Sequence, residues 1–498
     1  MISRKLLQAP AASIVALHAG CETGLLIQST RLTASQCLWC VDGSRGNSDM
    51  AERIVIRGTP GNDRLNGTPG DDVIDGGAGA DVMTGGTGRD SYRVDNAGDQ
   101  VFEAVGEGFD TIFTRISYTL AAGQAIEVLG AQSQSDTNAL VLVGNEFFNK
   151  LLGARGNDTL SGGGGDDRIF AAGGNDTVSG GAGNDVIYGG TGADTLNGDE
   201  GDDVFRAGGA GDVLSGGTGN DRYEVLDSGA VVIEAPGGGN DTIHASGDYT
   251  LAAGQEIETL RSDFFNRDQL VLTGNEFGNY LIGGDGIQTL NGAGGDDRLD
   301  GGAGTDTMAG GTGNDIYHVD LALDVVKESV GEGADTVYAT KNYTLAAGQE
   351  IEVLRADSAA GLTLRGNGFN NYIIGGTGSD TLAGAGGNDR LKGGTGADTF
   401  AFTTALGASS FDTIVDFVSG ADHIELAQSV FNALDPGALS TTAFAQAMAA
   451  TTADQHILYN RTTGVVSYDA DGNGSVAAVS FAMLTPGQAL TAGDFKVV

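Results

Sequence analysis

The sequence predicts an all-β fold, built mainly as a solenoid of short parallel strands. The first observation is a nine-residue period: between Gly153 and Asp221 an aspartate stands at every ninth position. The second is that a large apolar residue follows nearly every one of these aspartates by two positions, as Leu160 follows Asp158. The third is that glycines crowd the first half of each unit. A fixed short period of this kind is typical of solenoid proteins.

Each unit follows the pattern G-G-x-G-x-D-x-U-x, where U is a large apolar residue. Its glycine half can adopt positive φ and lets neighbouring backbones approach closely. Its x-U-x half alternates as a short strand with one inward side chain does. Repetition of a loop and a short strand gives a coil of parallel strands. Two alternatives are disfavoured: a disordered linker would not keep this register over eight units, and a phosphate-binding glycine loop would precede a helix.

The same period defines an array over residues 50–402, with four repeat blocks at 58–93, 144–222, 274–318 and 366–402. In the third block Gln288 stands where an aspartate belongs, which weakens that position. The aspartates at the sixth place of the units are Asp63, Asp72, Asp81, Asp90, Asp158, Asp167, Asp176, Asp185, Asp194, Asp203, Asp212, Asp221, Asp297, Asp306, Asp315, Asp380, Asp389 and Asp398.

This nonapeptide resembles the calcium-binding repeat of RTX (repeats-in-toxin, haemolysin-type) proteins. The resemblance implies a right-handed parallel β-roll in which two nonapeptides make one turn. It also implies that Ca²⁺ lies between the loops of successive turns on one edge, so that aspartates 18 positions apart, such as Asp158 and Asp176, share an ion. All the aspartates named above are then candidate metal ligands. The same-edge pairs suggest about ten ion sites, most of them in the second block.

The residue types suit this chemistry and predict that the array folds only when metal is bound. Ca²⁺ takes six to eight oxygen ligands, and carboxylates and the carbonyls of glycine loops supply them. Without the ion, stacked carboxylates about 4 Å apart repel by about 1 kcal/mol in water and about 4 kcal/mol at an effective dielectric constant of 20. Each ordered glycine adds about 0.5–1 kcal/mol of entropic cost. One apolar residue per unit does not offset both effects, so metal binding and folding should be coupled.

Three homologous spacers separate the blocks, at residues 92–143, 223–273 and 317–365. At equal offsets each contains a tyrosine, a glutamate (Glu103, Glu234, Glu328), an aspartate (Asp110, Asp241, Asp335) and the segment YTLAAG. Each ends in a degenerate nonapeptide in which Asn149, Asn279 or Asn371 replaces the aspartate. We expect these turns to continue the solenoid without metal. The repeated acids could be paired catalytic carboxylates, but three copies of one unit favour a structural role.

After the repeats, residues 403–498 are expected to form a small, mainly β domain. Residues 411–426 alternate as strands do, Asp435 to Ala450 includes a short predicted helix, and residues 456–484 read as a hairpin turning at Asp469–Gly474. The turn sequence DADGNG matches the start of an EF-hand loop. Because Ser480 stands at the twelfth place and no helices flank the loop, a tight turn is favoured over a calcium site.

The whole C-terminal region resembles that of RTX proteins exported by type I secretion, including the serralysin-type proteases. In that family an acidic residue followed by apolar residues at the extreme C-terminus belongs to the export signal. Asp494, Phe495, Val497 and Val498 match this pattern, although Lys496 interrupts it. The resemblance implies an extracellular protein that is a substrate of the type I secretion machinery.

Residues 1–49 do not match the rest and are treated as a leader. They contain every cysteine (Cys21, Cys37 and Cys40) and the one tryptophan, Trp39. A single C-x-x-C is too little for a zinc or redox site. We favour a translation start at Met50, directly before the first repeat. The alternatives are a weak signal or anchor segment and a leader of no recognisable kind.

Composition and missing motifs limit the function. A net charge of −40 argues against nucleic acid and anionic membranes as partners. The sequence has no apolar run of 18 residues that would predict a transmembrane segment, no HExxH motif and no convincing G-x-S-x-G context. We therefore predict a secreted calcium-binding repeat protein that is not an enzyme and has a structural, surface or adhesion role with an unknown extracellular partner. The alternative is an RTX-carrying secreted enzyme or cytolysin whose activity is not visible in this chain.

Overall fold

The computed structural model describes residues 53–226, 229–262, 269–407 and 409–498, together with the backbone of Leu26–Gln28. The chain divides into two compact units, Met1–Gln132 and Ser133–Val498. The predictions about the leader concern residues that lie outside the described ranges, namely Cys21, Cys37, Trp39, Cys40 and Met50.

In the first unit, short parallel strands form two faces of a coil. One face consists of Leu26–Gln28, Ile54–Arg57, Asp72–Asp75, Ser91–Val94, Thr111–Thr114 and Val128–Ala131. The other consists of Arg64–Asn66, Val82–Thr84 and Gln100–Phe102. Tyr118–Thr119 is a further short strand.

The second unit repeats this arrangement over more turns. Its longer face is a run of parallel strands: Lys150–Leu152, Arg168–Phe170, Val186–Tyr188, Val204–Ala207, Arg222–Val225, Thr242–Ala245, Thr259–Ser262, Tyr280–Gly284, Arg298–Gly302, Ile316–Val319, Thr336–Ala339, Val353–Ala356, Tyr372–Thr377, Arg390–Thr395 and Asp412–Ile414.

The opposite face of the second unit is divided into three sheets. The first contains Val141–Val143, Thr159–Gly164, Thr177–Ala182, Thr195–Glu200, Val213–Thr218 and Val231–Val232. The second contains Tyr249–Thr250, Gln269–Thr273, Ile287–Gly294, Thr307–Thr312 and Val325–Lys327. The third contains Tyr343–Thr344, Thr363–Arg365, Thr381–Ala383, Thr399–Phe402, His423–Leu426 and Phe495–Val497.

The nine-residue period accounts for this architecture. Strands are paired with an offset of 18 residues, so that Leu160 aligns with Val178 and Ile169 with Ile187. The apolar residue of each unit points inward, as Leu196 does, with no exposed surface. Two nonapeptides therefore make one turn, and the prediction of an all-β parallel solenoid is confirmed.

The spacers continue the solenoid with altered spacing. In the second spacer, Arg222 pairs with Thr242 at an offset of 20 residues and Thr242 pairs with Thr259 at an offset of 17. Loops on the edges absorb these differences in length, while the inward apolar positions stay in register. The second spacer therefore consists of turns of the same coil.

The C-terminal region is β structure, and one detail of its prediction is wrong. Asp435 to Ala450 contains turns and the two-residue strands Gly437–Ala438 and Phe444–Ala445 instead of a short helix. Pro436 has no backbone N–H, and Gly437 has a φ of 110°, which an α-helix does not accept. The N–H of Leu439 instead donates to Phe495 O at 3.3 Å.

Three antiparallel strands lie where one hairpin is predicted. Ile457–Asn460 pairs with Val465–Tyr468, which pairs in turn with Val479–Met483. The turn that contains Asp469–Gly474 joins the second and third of these strands, as expected, and a further turn precedes them. A 3₁₀ turn at Ala492–Asp494 leads into the last strand. Within the described ranges, no helix is long and apolar enough to cross a membrane.

Candidate calcium centre

Within each repeat block, the predicted ligands form rows at the edges of the coil. Seventeen of the eighteen aspartates named from the sequence are buried, and Asp63 is half-buried. Each lies two residues before an inward apolar residue, at the point where a glycine-rich loop enters a strand. The same residue that starts the strand therefore places its carboxylate inside the loop.

Hydrogen bonds join the aspartates that are 18 positions apart. The backbone N–H of Asp167 donates to Asp185 Oδ1 at 2.6 Å, and the N–H of Asp185 donates to Asp203 Oδ1 at 2.7 Å. The same bond recurs in every block, from Asp63 to Asp81 at 2.8 Å and from Asp380 to Asp398 at 2.9 Å. The structure thus brings the sequence-predicted pairs together, and one oxygen of each carboxylate has a partner.

The second oxygen of most of these carboxylates is buried and has no hydrogen-bond partner. A buried acceptor without a partner costs about 1–3 kcal/mol, and more when it is charged. A repeated cost of this kind indicates a ligand that satisfies it. The aspartates with an unpartnered Oδ2 are Asp81, Asp90, Asp167, Asp176, Asp185, Asp194, Asp203, Asp221, Asp297, Asp306, Asp315, Asp380 and Asp389.

The first glycine of each repeat leaves a space around this oxygen. A Cβ added to Gly162 would lie 2.1 Å from Asp167 Oδ2 and 2.5 Å from the carbonyl oxygen of Gly180 in the next turn. Gly180 itself has the same relation to Asp185 Oδ2, at 2.1 Å. Carboxylate and carbonyl oxygens therefore converge where a side chain is excluded. Hard oxygen ligands of this kind are those that Ca²⁺ takes, so the residues present fit the ion.

The backbone conformation of the loops depends on the glycines at the second and fourth places of the repeat. Gly181 and Gly183 have φ values of 112° and 126°, in a region that residues with a Cβ rarely adopt. This conformation turns successive peptide groups around the loop. It explains why glycine is common at these places, although Ala172, Asp199, Ala293 and Ala385 also adopt positive φ at the second place.

Electrostatics make the metal-free loops unfavourable. Burial, the largest cause, raises the pKa of Asp167 to about 8; the hydrogen bond from Asn149 opposes this shift, and the charge of Asp185 adds to it. Burial likewise raises the pKa of Asp203 to about 8 and that of Asp176 to about 7. Ionised carboxylates are thus destabilised inside the protein unless a cation balances them.

Where the sequence lacks an aspartate, an amide satisfies the loop. Asn279 accepts from Asn275 N at 2.9 Å, and its Nδ2 donates to Ile257 O at 2.7 Å. With its amide nitrogen turned toward Gly301, Gln288 donates to Asp306 Oδ1 at 3.1 Å. Each amide thus has an N–H donor in the position that the unpartnered Oδ2 occupies in the aspartates of other turns. This supports the interpretation of the asparagine turns as solenoid without metal, which remains a prediction.

The prediction from the sequence missed several aspartates of the acidic rows. Asp81 N donates to Asp99 Oδ1 at 3.0 Å and Asp306 N to Asp324 Oδ1 at 3.2 Å. Both of the missed residues, Asp99 and Asp324, stand nine positions after a named aspartate, so the period itself could have found them. Beyond the repeats, Asp389 N donates to Asp412 Oδ1 at an offset of 23 residues, which no fixed period predicts.

The EF-hand-like turn is a connection between antiparallel strands. Asp471 Oδ2 accepts from Val476 N at 3.1 Å, and Asp469 is buried. The loop is not flanked by helices. The connection between Tyr468 and Val479 is ten residues long, which is more than a tight turn. That it binds no calcium stays a prediction.

Comparisons with known proteins bear on the repeats and on the C-terminal region. The profile of the RTX calcium-binding nonapeptide repeat matches residues 57–92, 143–178, 170–205, 188–223 and 282–317. The profile of the peptidase M10 serralysin C terminal matches residues 364–497. A comparison with curated proteins returns no match.

These matches agree with the solenoid, the rows of buried carboxylates and the oxygen-lined glycine spaces. RTX nonapeptide repeats bind Ca²⁺, which is the ion that the donor set fits. The chain therefore combines calcium-binding nonapeptide repeats of the RTX type with a serralysin-type C-terminal domain.

Proposed function

We propose that this chain is exported unfolded by type I secretion, folds outside the cell as Ca²⁺ binds, and there has a structural, surface or adhesion role without catalysis. The observation that carries this proposal is the set of buried carboxylates, paired at 18-residue spacing, whose second oxygens lack partners. With their carboxylates ionised, such rows need cations between the turns.

Calcium supplies the switch between the two states. Extracellular calcium modules have Kd values of about 10⁻⁴ to 10⁻³ M, so sites of this class stay empty at cytosolic calcium levels. In the cytosol, repulsion within the rows and the narrow apolar interior keep the chain extended. Outside the cell, the ions neutralise the rows and the coil forms.

The C-terminus supports export before folding. Phe495–Val497 is a strand that pairs with His423–Leu426, and Asp494 accepts hydrogen bonds from Ser419 Oγ and from Gly420 N, the latter at 2.9 Å. In the folded chain these tail residues are engaged in the sheet. A secretion machine that reads the tail would therefore meet it before the domain closes.

A role without catalysis is supported by the contacts of two histidines. His318 stacks on Tyr338 with a centroid separation of 5.3 Å, and His456 Nδ1 lies 2.6 Å from Asp469 O. These contacts stabilise strands and turns, and neither involves a nucleophile.

An outer face of the second unit could serve an extracellular contact. Arg298 lies over the Tyr280 ring at 4.6 Å and Arg390 over Tyr372 at 4.9 Å. The strands of the opposite face present mainly threonine, serine and asparagine at the equivalent places, as Thr177 and Ser179 do. Basic and aromatic side chains are thus concentrated on one side of an acidic protein.

The test is to dilute denatured chain into buffer with a calcium chelator or with Ca²⁺ and to record far-ultraviolet circular dichroism. We expect β structure only with Ca²⁺, and full β structure in chelator would overturn the proposal. The purified chain is also assayed on casein, lipid esters and red cells. Hydrolysis or lysis that persists through purification would favour an enzyme or a cytolysin.

A further inference from the structure

A second kind of acidic cluster lies where each of three blocks passes into its spacer. Each cluster joins the last aspartate of the block to a glutamate 13 positions later and an aspartate 20 positions later. All nine carboxylates are buried, with exposed fractions of 3% or less. The junction clusters are Asp90–Glu103–Asp110, Asp221–Glu234–Asp241 and Asp315–Glu328–Asp335.

The glutamate of each junction cluster is held by one of its two oxygens. Glu103 Oε1 accepts from the Tyr92 hydroxyl and from Gly85 N, the latter at 3.0 Å. Glu234 Oε1 accepts from the Tyr223 hydroxyl and, at 2.8 Å, from a backbone N–H in the same way. The tyrosines are fully buried. The side chain is therefore fixed, and its other oxygen points to a defined place.

That other oxygen has no partner in any of the three clusters. Glu103 Oε2, Glu234 Oε2 and Glu328 Oε2 are buried and without a hydrogen bond. In the first cluster the Oδ2 atoms of Asp90 and Asp110 are equally unpartnered. Three carboxylates thus present free oxygens to one space.

The spacing of these oxygens suits one ion. In the first and third clusters, one carboxylate oxygen from each of the three residues lies within 4.8 Å of the others. Two ligands on opposite sides of Ca²⁺ are about 5 Å apart, since each bond is about 2.3–2.6 Å long. Smaller separations correspond to adjacent ligands, so a single cation could contact all three groups.

Within the described ranges, no ion pair balances this charge. The ion pairs there join Arg93 to Asp75, and Arg206 and Arg222 to Glu224, so none involves a junction cluster. The structure therefore buries three acids together without a protein counter-ion. A bound cation accounts for this arrangement better than a neutral Tyr–Glu hydrogen bond does, because such a bond needs only one carboxylate.

The glutamate of each junction cluster is outside the nonapeptide pattern. Three of the segments that match the repeat profile end at residues 92, 223 and 317, which are the three tyrosines. The second aspartate stands at the sixth place of a degenerate unit in the spacer and accepts from the backbone N–H of the last aspartate of the block, as Asp110 Oδ1 does from Asp90 N at 2.8 Å. The two aspartates therefore continue the acidic row, and the glutamate adds a third carboxylate that the sites between two regular repeats lack.

We propose that each junction cluster binds one further Ca²⁺, held by three carboxylates, which fastens the spacer to the last turn of its block. This inference rests on the proposed calcium-dependent folding and extends it to the spacers. Ligand charge sets the affinity of calcium sites, so these three-carboxylate sites should fill before the two-aspartate sites of the blocks.

The test compares two sets of substitutions in the full chain. The variant Glu103→Gln, Glu234→Gln and Glu328→Gln keeps an oxygen to accept from each tyrosine and removes the charge. The control Glu107→Gln, Glu256→Gln and Glu350→Gln makes the same charge change at half-buried glutamates of the same spacers, each of which accepts from a backbone N–H. Bound Ca²⁺ is counted by equilibrium dialysis.

We expect the first variant to bind three fewer ions per chain and the control to bind as many as the parent. Tb³⁺ gives a second readout, because a lanthanide near a phenol is excited through it. Luminescence sensitised by tyrosine should fall in the glutamine variant and after Tyr92→Phe, Tyr223→Phe and Tyr317→Phe. If the triple glutamine variant does not fold, Glu103→Gln alone decides, with an expected loss of one ion.

An unchanged ion count and unchanged Tb³⁺ luminescence, in a chain that still folds on adding Ca²⁺, would overturn the junction sites and leave the proposed function standing. If the parent chain itself folds without calcium, the proposed function fails instead. The two failures are therefore distinguishable.

Discussion

Replacing Asp185 by asparagine should have opposite effects with and without calcium. Asp185 lies in the second block, where its Oδ1 accepts from Asp167 N at 2.6 Å and its Oδ2 is unpartnered. Asparagine keeps the accepting oxygen and removes the charge. The substitution therefore separates the electrostatic role of the side chain from its part in the backbone hydrogen-bond row.

The magnitude in the presence of calcium follows from site occupancy. Asp185 belongs to two pairs, one with Asp167 and one with Asp203. At calcium concentrations about 10 to 100 times the Kd, each occupied site contributes about 1.4 to 2.7 kcal/mol to the free energy of unfolding. Loss of both sites should lower that free energy by about 3 to 5 kcal/mol.

The magnitude in the absence of calcium has the opposite sign. Equivalent atoms of successive strands are about 4.8 Å apart, so two charged carboxylates repel by about 3.5 kcal/mol at an effective dielectric constant of 20 and by about 0.9 kcal/mol in water. Removing the charge of Asp185 relieves this repulsion toward both neighbours. The metal-free chain should thus be at least as β-structured as the parent.

The assay is urea unfolding followed by circular dichroism at saturating calcium and in chelator, with ions counted by calorimetry. Asp166→Asn is the matched control, since Asp166 is exposed in the same block and accepts from Asn184 N, at 2.9 Å. The reasoning is refuted if Asp185→Asn behaves as this control does, with unchanged stability and ion count in calcium.

Three further predictions concern pH, the glycine space and the interrupted row. Burial raises the pKa of Asp203 to about 8, from an ordinary value of 3.8. The metal-free folded chain therefore binds protons more tightly than the unfolded chain does. The stability of the metal-free fold should be greatest below pH 3.8 and should be lost as the pH rises to about 8. Circular dichroism in chelator should show more β structure on acidification, and the reverse trend would contradict this. Gly180→Ala should weaken calcium binding in a titration, because its Cβ would lie 2.1 Å from the aspartate oxygen of its own repeat, whereas Gly247→Ala, with no atom within 4 Å, should have no effect. Gln288→Asp should add about one bound ion in dialysis, since it restores the acidic row; an unchanged count would argue against pairing across turns.

The sequence predicted the solenoid because one side chain in nine determines the register. Leu160 and Val178 occupy equivalent inward positions, and their alignment places Asp158 beside Asp176. In a solenoid, residues that contact each other across turns are separated by a fixed number of positions, so the period of the sequence predicts long-range contacts. For this reason the ligand pairs could be predicted from the period, once the resemblance had supplied the number of repeats per turn.

Other features depend on contacts that no period reveals. Asp494 is bound by Ser419, 75 residues earlier, and Asp412 extends an acidic row at an offset of 23 residues because of the intervening loop. The convergence of Glu103 with Asp90 and Asp110 depends on how the spacer loop folds back onto the block. The repetition of these acids was visible in the sequence, but their proximity was not.

Amide hydrogen exchange across residues 153–222 tests the central claim most directly, because it reports the cohesion of each turn separately. If cations between acidic turns hold the coil together, the N–H groups of Asp158, Asp167, Asp176 and Asp185 should be protected in calcium and should exchange rapidly in chelator. Equal protection of these amides in both buffers would contradict the account.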